Sequence, residues 1–405
     1  MLKNLKVAVY VTGGIAAYKI PDLVRRIIKQ GAEVRVAMTP AAQQFVMANT
    51  FHVLTKYPVL SDNNVVNYPD PVGHIHLADW ADLAVMVPAT ASSLAKLANG
   101  IADNEVMASL LAVNQPTLLV PAMNEKMWQH PATQRNIQQL RADGYYIMEP
   151  AVGFLAEGYE GKGRMPEVEE ILAAIQSLAT FKKTSSTLDL AGRRVLISAG
   201  GTQEAIDPVR YISNRSTGKM GIAIAHVAQM AGANVCLVRT QSTLQEAVMP
   251  GIQQIVVESA QDLYQVMHEE ILTSDLTIMA AAVSDYRVAQ VADQKIKKTA
   301  GESSNQLQID LIENPDILKS LPKDRSVVVG FAAETHQVLE FAQNKLERKG
   351  ADMIVANDVS QKDIGFGSDQ NQVILVSKDQ QKTLEKMSKF EVAYEILLAA
   401  SRIQK

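Results

Sequence analysis

The sequence contains one cysteine among its 405 residues, and this scarcity excludes two kinds of protein. A single thiol, that of Cys236, supports neither an internal disulfide framework nor a zinc site built from several thiolates. It lies in the apolar run of residues 235–238, which predicts a buried and inert side chain. With no disulfide framework, a cytoplasmic location is the simplest interpretation.

Long apolar runs and a strong excess of charge are also absent. The net charge is -4 at pH 7, and the hydrophobic and charged contents of 47% and 20% are those of an ordinary globular protein. No apolar run is long enough to cross a membrane. We therefore expect neither nucleic acid nor a membrane among the partners.

Two nucleotide-binding motifs are missing. Neither glycine turn has the GxGxxG spacing, and Thr39 and Thr240 stand where a dinucleotide-binding domain carries an acidic residue. Residues 213–219 lack the first glycine of a Walker A loop, and the lysine is followed by Met220 instead of the Ser or Thr that the motif requires. A P-loop ATPase is thus disfavoured. An NAD(P)-binding oxidoreductase with two Rossmann-like domains stays open as an alternative, as does a non-catalytic flavin-binding protein.

What the sequence does contain is one α/β pattern in each half. An apolar strand at residues 6–11 ends in a Gly-Gly turn, and a helical pattern over residues 15–30 follows, with Pro21 expected to kink or restart it. Gly200 and Gly201 repeat this turn in the second half. The repetition predicts two doubly wound, Rossmann-like domains, each a three-layer αβα sandwich.

A Lys-, Ser- and Thr-rich stretch marks the expected domain boundary. We place a linker at residues 182–190, so that the domains span residues 1–181 and 191–405. Further strands of the first domain end just before Pro88 and Pro121. Ligands of such sheets bind at the carboxyl ends of the strands.

Several side chains near these edges are candidates for chemistry. Asn124 follows a strand end, where its amide can bind a carboxylate. His74 and His76 are expected on one face of an extended segment, and either could act as a base. No third ligand of suitable type lies near them in sequence, so a metal site is disfavoured.

Acidic and basic side chains cluster in the second half. Lys295, Lys297 and Lys298 follow Asp285, and Lys345 and Lys349 are four residues apart on one expected helix face. The carboxylate of Asp285 suits a divalent cation or a ribose, and the lysines suit a polyphosphate.

A glycine-rich stretch, GFLAEGYEGKGRMP, occupies residues 153–166 between the two halves. Glycine loses much backbone entropy in a strand and offers no side chain to bury. We therefore expect a mobile loop here, acting as a flap over an active site.

Motifs along nearly the whole chain resemble a known family. They are TGGIAAYK, GHI, PATA, GIADN, PAMNEKMW and GKGRMPE in the first half, and AGGTQEAIDPVRYISNRSTGKMG, AAVSDYR, KIKK, NPDI and GFAAET in the second. Their order and number resemble the bifunctional phosphopantothenoylcysteine decarboxylase/phosphopantothenate–cysteine ligases of coenzyme A biosynthesis.

For the second half, the resemblance implies a ligase that uses CTP and Mg²⁺. CTP would activate the carboxylate of 4'-phosphopantothenate as an acyl-cytidylate, and the amine of cysteine would displace CMP. Asn214 would support the acyl intermediate and Lys295 would be catalytic. The implied nucleotide-binding residues are Ala281, Asp285, Lys295, Asn314, Pro315, Asp316, Ile317, Phe331, Lys345 and Lys349, with Asp285 also a candidate metal ligand.

For the first half, the resemblance implies an FMN-dependent decarboxylase that yields 4'-phosphopantetheine. His74 would be the base and Asn124 would bind the substrate carboxylate. Many members carry a cysteine as proton donor in an LACG motif, where this chain has Glu157. Either Glu157, partly desolvated under the closed flap, donates the proton, or the donor lies elsewhere and Glu157 is only a polar residue of the flap; we expect the first. The implied FMN contacts are Gly14, Thr39, Pro88, Thr90 and Met123, with the phosphate at the first helix N-terminus.

The resemblance also implies a homo-oligomer. Related flavoproteins form trimers with the flavin at a subunit contact, and ligase halves pair as dimers. A dodecamer is one arrangement that satisfies both contacts.

Overall fold

The computed structural model describes residues 2–65, 68–182, 188–297, 307–334, 336–358 and 367–404. The chain forms two compact units, Met1–Ser186 with Ala247–Gly251 and Thr187–Glu246 with Ile252–Lys405. Residues 183–187 of the expected linker lie outside the described residues, as does Lys298. The linker bounds and the assignment of one activity to each side stay predictions.

The described α-helices pack around two large sheets, whose central strands are parallel. They are α1 (Ile20–Lys29), α2 (Ala48–Thr55), α3 (Gly73–Trp80), α4 (Ala91–Ala98), α5 (Glu105–Ala112), α6 (Glu125–Gln129), α7 (Pro131–Ala142), α8 (Val168–Lys182), α9 (Lys219–Met230), α10 (Ala260–Glu270), α11 (Ile317–Ser320), α12 (Val338–Lys349) and α13 (Lys389–Ser401). Within the residues that the structure describes, none of the helices has the length and apolar character needed to cross a bilayer.

The described strands fall into two large sheets and several hairpins. They are β1 (Lys6–Val11), β2 (Glu33–Met38), β3 (Leu83–Ala89), β4 (Thr117–Pro121), β5 (Tyr146–Ile147), β6 (Ala151–Phe154), β7 (Glu160–Arg164), β8 (Arg194–Ala199), β9 (Gln203–Ala205), β10 (Tyr211–Ser213), β11 (Asn234–Thr240), β12 (Gln253–Val257), β13 (Leu276–Met279), β14 (Tyr286–Val288), β15 (Leu311–Glu313), β16 (Val327–Glu334), β17 (Met353–Asp358), β18 (Gln370–Asn371), β19 (Val373–Ser377), β20 (Gln381–Thr383) and β21 (Met387–Ser388).

The first unit is built on a five-stranded sheet with the order β2-β1-β3-β4-β5, and all its pairings are parallel. Its central strands β3 and β4 are buried along their whole length, because helices cover both faces. The helical pattern expected over residues 15–30 is divided near Pro21. A 3₁₀ turn, Ile15–Lys19, precedes α1, in which Pro21 lies in the first turn, where its missing N–H costs no hydrogen bond.

The second unit is built on an eight-stranded sheet with the order β12-β11-β8-β13-β16-β17-β19-β20. In this order the first six strands pair in parallel; they are β12, β11, β8, β13, β16 and β17. The last two, β19 and β20, continue the sheet antiparallel. The helices α9 and α13 pack against each other, and α12 packs on β16 and β17. Cys236 is buried in β11, and its burial raises the pKa of the thiol to about 11, as expected for an inert core cysteine.

The two sheets share one plan in their five central strands, and the second sheet adds β12 at one edge and β19 and β20 at the other. In each unit the chain runs from the first strand outward to the second and then crosses to the other side of the first. Where the second unit adds β12, the first has a single parallel bridge between Ala37 and Leu60. The strand order reverses between β1 and β3 and between β8 and β13, and such reversal points are where doubly wound sheets bind ligands.

The glycine-rich stretch is a hairpin and not the loop that we expected. Strands β6 and β7 pair antiparallel, with the turn between Phe154 and Glu160. Two glycines occupy β7 because a side chain would not fit: a Cβ on Gly163 would lie 2.2 Å from the carbonyl oxygen of Met123, and one on Gly161 would lie 2.8 Å from Oε2 of Glu125. These glycines allow close approach to the start of α6, and composition alone did not reveal that contact.

Candidate functional site

Hydrogen bonds join the strand ends at the reversal point of the first unit. The hydroxyl of Thr12 donates to the carbonyl of Pro88 at 2.6 Å, and the N–H of Thr90 donates to the same hydroxyl at 3.2 Å. The N–H of Ala122 donates to the carbonyl of Ala89, and the N–H of Met123 to that of Gly163. The structure thus brings the predicted residues Pro88, Thr90 and Met123 to one edge.

The Gly-Gly turn after β1 lies at the same edge. A Cβ built on Gly14 would meet only the methyl group of Thr90, at 3.7 Å, so the backbone here can be approached closely by a ligand. Thr90 caps α4 by accepting from the N–H of Ser93. Thr39 is buried at the end of β2, where its hydroxyl accepts from the N–H of Ala42. An open backbone turn beside hydroxyl groups fits the phosphate and the polar edge of a flavin nucleotide.

Asn124 connects this edge to the β6–β7 hairpin. Its side-chain oxygen accepts from the N–H of Lys126 at 2.9 Å, which caps α6. Its amide nitrogen donates to the hydroxyl of Tyr159 at 2.7 Å. The sequence indicated the importance of Asn124, but nothing in it indicated the Tyr159 contact, which joins residues 35 positions apart.

The two histidines lie on a helix, and the prediction of an extended segment with both rings on one face was wrong. In α3, residues two apart point in different directions. Nδ1 of His74 is 3.1 Å from Oε2 of Glu105, whereas Nδ1 of His76 is 2.8 Å from Oδ2 of Asp70. The alternation of His74 and His76 suits a strand, but packing of α3 on α5 determines the local structure.

Glu105 gives His74 a defined orientation. A carboxylate only accepts hydrogen bonds, so Nδ1 carries the proton in this contact and Nε2 keeps its lone pair in the neutral ring. Glu105 begins α5, where Asn104 caps the helix by accepting from the N–H of Met107. The pair therefore has the arrangement of a base and the group that orients it.

Glu157 is exposed in the turn between β6 and β7. We expected its carboxyl group to be partly desolvated, and this expectation is wrong for the arrangement of the hairpin seen here. The turn is loosely packed, since a Cβ on the neighbouring Gly158 would meet nothing within 4 Å. Tyr159, by contrast, points its hydroxyl at Asn124.

The reversal point of the second unit carries a cavity of about 720 Å³. Ten of its lining residues lie at positions for which the family resemblance implied contact with the nucleotide or the acyl intermediate. They are Asn214, Ala281, Asp285, Asn314, Pro315, Asp316, Ile317, Phe331, Lys345 and Lys349. The amide nitrogen of Asn214 donates to the carbonyl of Ala282 at 2.8 Å, just after β13.

The expected pair on α12 does share one face. Lys345 and Lys349 both line the cavity, and Nζ of Lys349 contacts Oδ2 of Asp316. Burial, together with the charge of Lys349, lowers the pKa of Lys345. Burial alone would raise the pKa of Asp316, but hydrogen bonds from Lys349 and from the N–H of Lys319 keep it below its ordinary value.

Lys295 is exposed and does not line the cavity. The neighbouring Ile296 is held by the insertion of residues 204–215, since its N–H donates to Oδ2 of Asp207 and its carbonyl accepts from Arg210. The hydrogen bond from Arg210 and those from backbone N–H groups hold the pKa of Asp207 well below its usual range. The insertion thus fixes the backbone beside Lys295.

Two further lysines line the cavity, and neither was among the predicted site residues, although Lys219 lies in one of the motifs that carry the resemblance. Lys219 begins α9 and Lys389 begins α13, 170 residues later in the chain, so only the fold brings them together. Among the described residues, no group of three or more His, Cys, Asp or Glu side chains is arranged to hold a metal ion. Asp285 is exposed at the cavity wall.

Each half of the chain matches a known protein family. Residues 1–180 match the family described as Flavoprotein, and residues 190–403 match the DNA/pantothenate metabolism flavoprotein C-terminal domain. A crystal structure of the C-terminal domain of coenzyme A biosynthesis bifunctional protein CoaBC is 40% identical and covers 53% of this chain and 96% of its own, with a TM-score of 0.44.

Full-length relatives carry one shared description, coenzyme A biosynthesis bifunctional protein CoaBC. That of Bacillus subtilis is 42% identical over 409 residues, 100% of this chain and 98% of its own length. Those of Haemophilus influenzae and Escherichia coli K12 are 43% and 42% identical and cover 98% and 95% of this chain and 97% and 93% of their own lengths. The chain therefore belongs to the family of bifunctional coenzyme A biosynthesis enzymes, which join a phosphopantothenoylcysteine decarboxylase flavoprotein to a phosphopantothenate–cysteine ligase.

Proposed function

We propose that the second unit ligates 4'-phosphopantothenate to cysteine with CTP and Mg²⁺. The substrate carboxylate attacks the α-phosphorus of CTP, and pyrophosphate leaves. The amine of cysteine then attacks the acyl carbon, and CMP leaves with the bonding electrons. The observation that carries this proposal is the cavity at the β8/β13 reversal point, whose wall contains ten of the residues expected for this reaction.

The residues of the cavity have separate roles in the proposal. Asn214 binds the acyl group beside β13. Lys345 and Lys349 neutralise charge on the nucleotide, with Asp316 holding Lys349 in place. The nucleotide phosphates would hold Mg²⁺, and the exposed carboxylate of Asp285 is the protein ligand that we propose for it. Lys295 is also catalytic in this proposal, although its side chain does not line the cavity.

We propose that the first unit binds FMN at the β1/β3 reversal point. Gly14, Thr39, Pro88, Thr90 and Met123 contact the cofactor, and the open backbone at Gly14 supports this placement. FMN held there would supply the electron acceptor for oxidation of the substrate thiol and the electrons for the final reduction, after loss of CO₂. Asn124 binds the substrate carboxylate, and Nε2 of His74 accepts a proton while Glu105 holds the ring.

Two groups on the hairpin are candidates for the proton donor. Glu157 replaces the cysteine of many relatives and must move from its exposed position to reach the substrate. Tyr159 is the second candidate because its hydroxyl already contacts Asn124. Stopped-flow product analysis of Glu157→Gln and Tyr159→Phe separates them: the variant of the true donor accumulates the unreduced enethiol product, whereas the other forms 4'-phosphopantetheine.

One assay tests the proposed substrates. The purified full-length protein is given phosphopantothenate, cysteine and Mg²⁺, and pyrophosphate release is measured with CTP and with the other nucleoside triphosphates. We expect release with CTP and a flavin absorption spectrum that identifies FMN after extraction. Absence of CTP-dependent release would reject the ligase proposal, and a protein that binds no FMN would reject the decarboxylase proposal.

A further inference from the structure

Two buried hydroxyl groups connect strand β1 to the backbone of His74. The hydroxyl of Ser109, in α5, donates to the carbonyl oxygen of His74 at 2.8 Å. The hydroxyl of Tyr10, near the end of β1, lies 2.9 Å from Oγ of Ser109. Both Tyr10 and Ser109 are fully buried, so water does not compete for these contacts.

The chemistry of the groups fixes the direction of both hydrogen bonds. A carbonyl oxygen only accepts, and a serine hydroxyl has a single proton, so the proton of Ser109 points at His74. The contact between Tyr10 and Ser109 then requires Tyr10 to donate. Burial raises the pKa of Tyr10 above its ordinary value, which keeps the proton on its hydroxyl. The contacts thus run in one direction, from β1 through α5 to α3.

The first turn of α3 depends on such contacts from other elements. His74 is the second residue of this eight-residue helix, and Val72, which precedes the helix, offers no side-chain oxygen to cap it. Gly73 is buried instead, and a Cβ on it would lie 2.8 Å from Cδ1 of Leu60 and Cδ1 of Tyr68. The position of His74 is therefore determined by its neighbours more than by the helix itself.

One face of α5 contacts His74 at two points. Glu105 and Ser109 are four residues apart, so their side chains lie on the same face of the helix, and α5 packs on α3. Oε2 of Glu105 contacts Nδ1 of the ring at 3.1 Å, one turn before the contact of Ser109 with the carbonyl. The ring itself is 32% exposed, so it is accessible to a substrate although its backbone is tied to the interior.

We infer that Ser109 is a positioning residue for His74, and that Tyr10 holds Ser109 in place. Glu105 fixes the direction of the ring, and Ser109 fixes the backbone that carries it. Because β1 leads directly into the Gly-Gly turn, these contacts set the position of Nε2 relative to the proposed cofactor site. The inference rests on the proposed role of His74 as the base. A catalytic group that is misplaced by about 1 Å can lose about a hundredfold in rate.

The test measures decarboxylase turnover of phosphopantothenoylcysteine by full-length, FMN-loaded protein. We expect Ser109→Ala to lower kcat about threefold to tenfold, which is the usual effect of losing one neutral hydrogen bond. The KM, the FMN content and the ligase activity should stay unchanged, because Ser109 acts only through His74. Tyr10→Phe removes one hydroxyl and leaves Ser109 able to donate, so kcat should fall only about twofold to threefold. In the Ser109→Ala background, Tyr10→Phe should lower kcat no further.

A matched control separates positioning from a loss of stability. Ser177 is a fully buried serine of α8 in the same unit, and its hydroxyl donates to the carbonyl of Ala173, also at 2.8 Å. Ser177→Ala and Ser109→Ala should lose similar stability in urea, but only Ser109→Ala should lose kcat. Combining Ser109→Ala with Glu105→Gln gives a second readout. Because both residues act on His74, the double variant should lose less than the product of the two single losses.

Three results would count against the inference, and one of them also rejects the proposed base. Wild-type kcat in Ser109→Ala, with His74→Gln inactive, overturns the inference and leaves the base in place. Equal loss of kcat in Ser177→Ala, or a double variant that loses the full product, shows that Ser109 is only structural. Wild-type kcat in His74→Gln rejects the base, and the inference falls with it. If Ser109→Ala does not fold, Tyr10→Phe decides, since it leaves the volume of the core nearly unchanged; wild-type kcat in that variant overturns the inference.

Discussion

At the scale of single residues, two contacts in the first unit join side chains that are far apart in the chain. Glu105 contacts His74 across 31 positions, and Tyr159 contacts Asn124 across 35. Each contact fixes the direction of one polar group near the β1/β3 reversal point. We therefore propose that Glu105 positions His74, and that Tyr159 positions Asn124 whether or not it is also the proton donor.

The substitution Glu105→Gln tests the positioning role. Glutamine can accept the same hydrogen bond but carries no charge to stabilise a protonated ring, so we expect decarboxylase kcat to fall about tenfold. The matched control is Asp70→Asn, which alters the carboxylate that contacts His76 on the same helix. Equal effects of the two substitutions would contradict the role of Glu105, and circular dichroism should show both variants folded.

The pH dependence of the ligase tests Lys389. Its pKa is lowered to about 8 by burial and then by Lys219, whereas Asp369 and Glu246 act in the opposite direction. The ammonium group thus loses its proton as the pH rises through about 8. Because Lys389 lines the cavity of the second unit, kcat/KM of the ligase reaction should fall over that range, since this ratio reports ionisation of the free enzyme. In Lys389→Met this step should be absent. A wild-type profile that stays flat up to pH 9 would contradict the expectation.

At the scale of elements, the strand ends could be predicted and the hairpins could not. Apolar runs followed by glycine, proline or asparagine indicated where parallel strands stop, and Thr90 and Asn124 lie at those ends as expected. The β6–β7 hairpin was missed because its glycines serve a contact with α6, which composition does not encode. The helix α3 was missed because His74 and His76 alternate as in a strand, although packing on α5 decides the local structure.

The hairpin contact predicts the effect of Gly163→Ala. The new Cβ would lie 2.2 Å from the carbonyl oxygen of Met123, so β7 must shift, at a cost of about 1–3 kcal/mol. We expect lower stability in urea and a loss of decarboxylase activity, with the ligase unaffected. The control Gly144→Ala meets no neighbour within 4 Å and bears only the strain of its positive φ. Retention of full decarboxylase activity in Gly163→Ala would show that the hairpin position does not matter.

At the scale of the whole molecule, the chain joins two units with one plan and different chemistry. In both units we propose a ligand site where the strand order reverses, and the repeated glycine turns indicated the shared order of the central strands. The meeting of Lys219 and Lys389 in one cavity did not follow from the sequence, because the two residues are brought together only when α13 packs on α9. Pairing across 170 residues leaves no local signal in the sequence.

We propose that the protein is a homo-oligomer. Large apolar side chains are exposed on and after the turns that follow β1 and β2, among them Ile15, Tyr18 and Met47, with exposures of 60%, 62% and 70%. Such surface is costly unless another subunit covers it. Sedimentation equilibrium should give a mass that is a multiple of 44.1 kDa, and Met47→Glu should reduce it. A monomeric wild-type protein would contradict this proposal.

The central claim is that the two units carry separate, consecutive reactions in one chain, and mixing two inactive variants tests it most directly. Given phosphopantothenate, cysteine and CTP with Mg²⁺, Asn124→Ala alone should accumulate phosphopantothenoylcysteine, and Lys349→Met alone should release little pyrophosphate. An equimolar mixture of the two should form 4'-phosphopantetheine, because each supplies the activity that the other lacks. A mixture of folded variants that forms none would contradict the account.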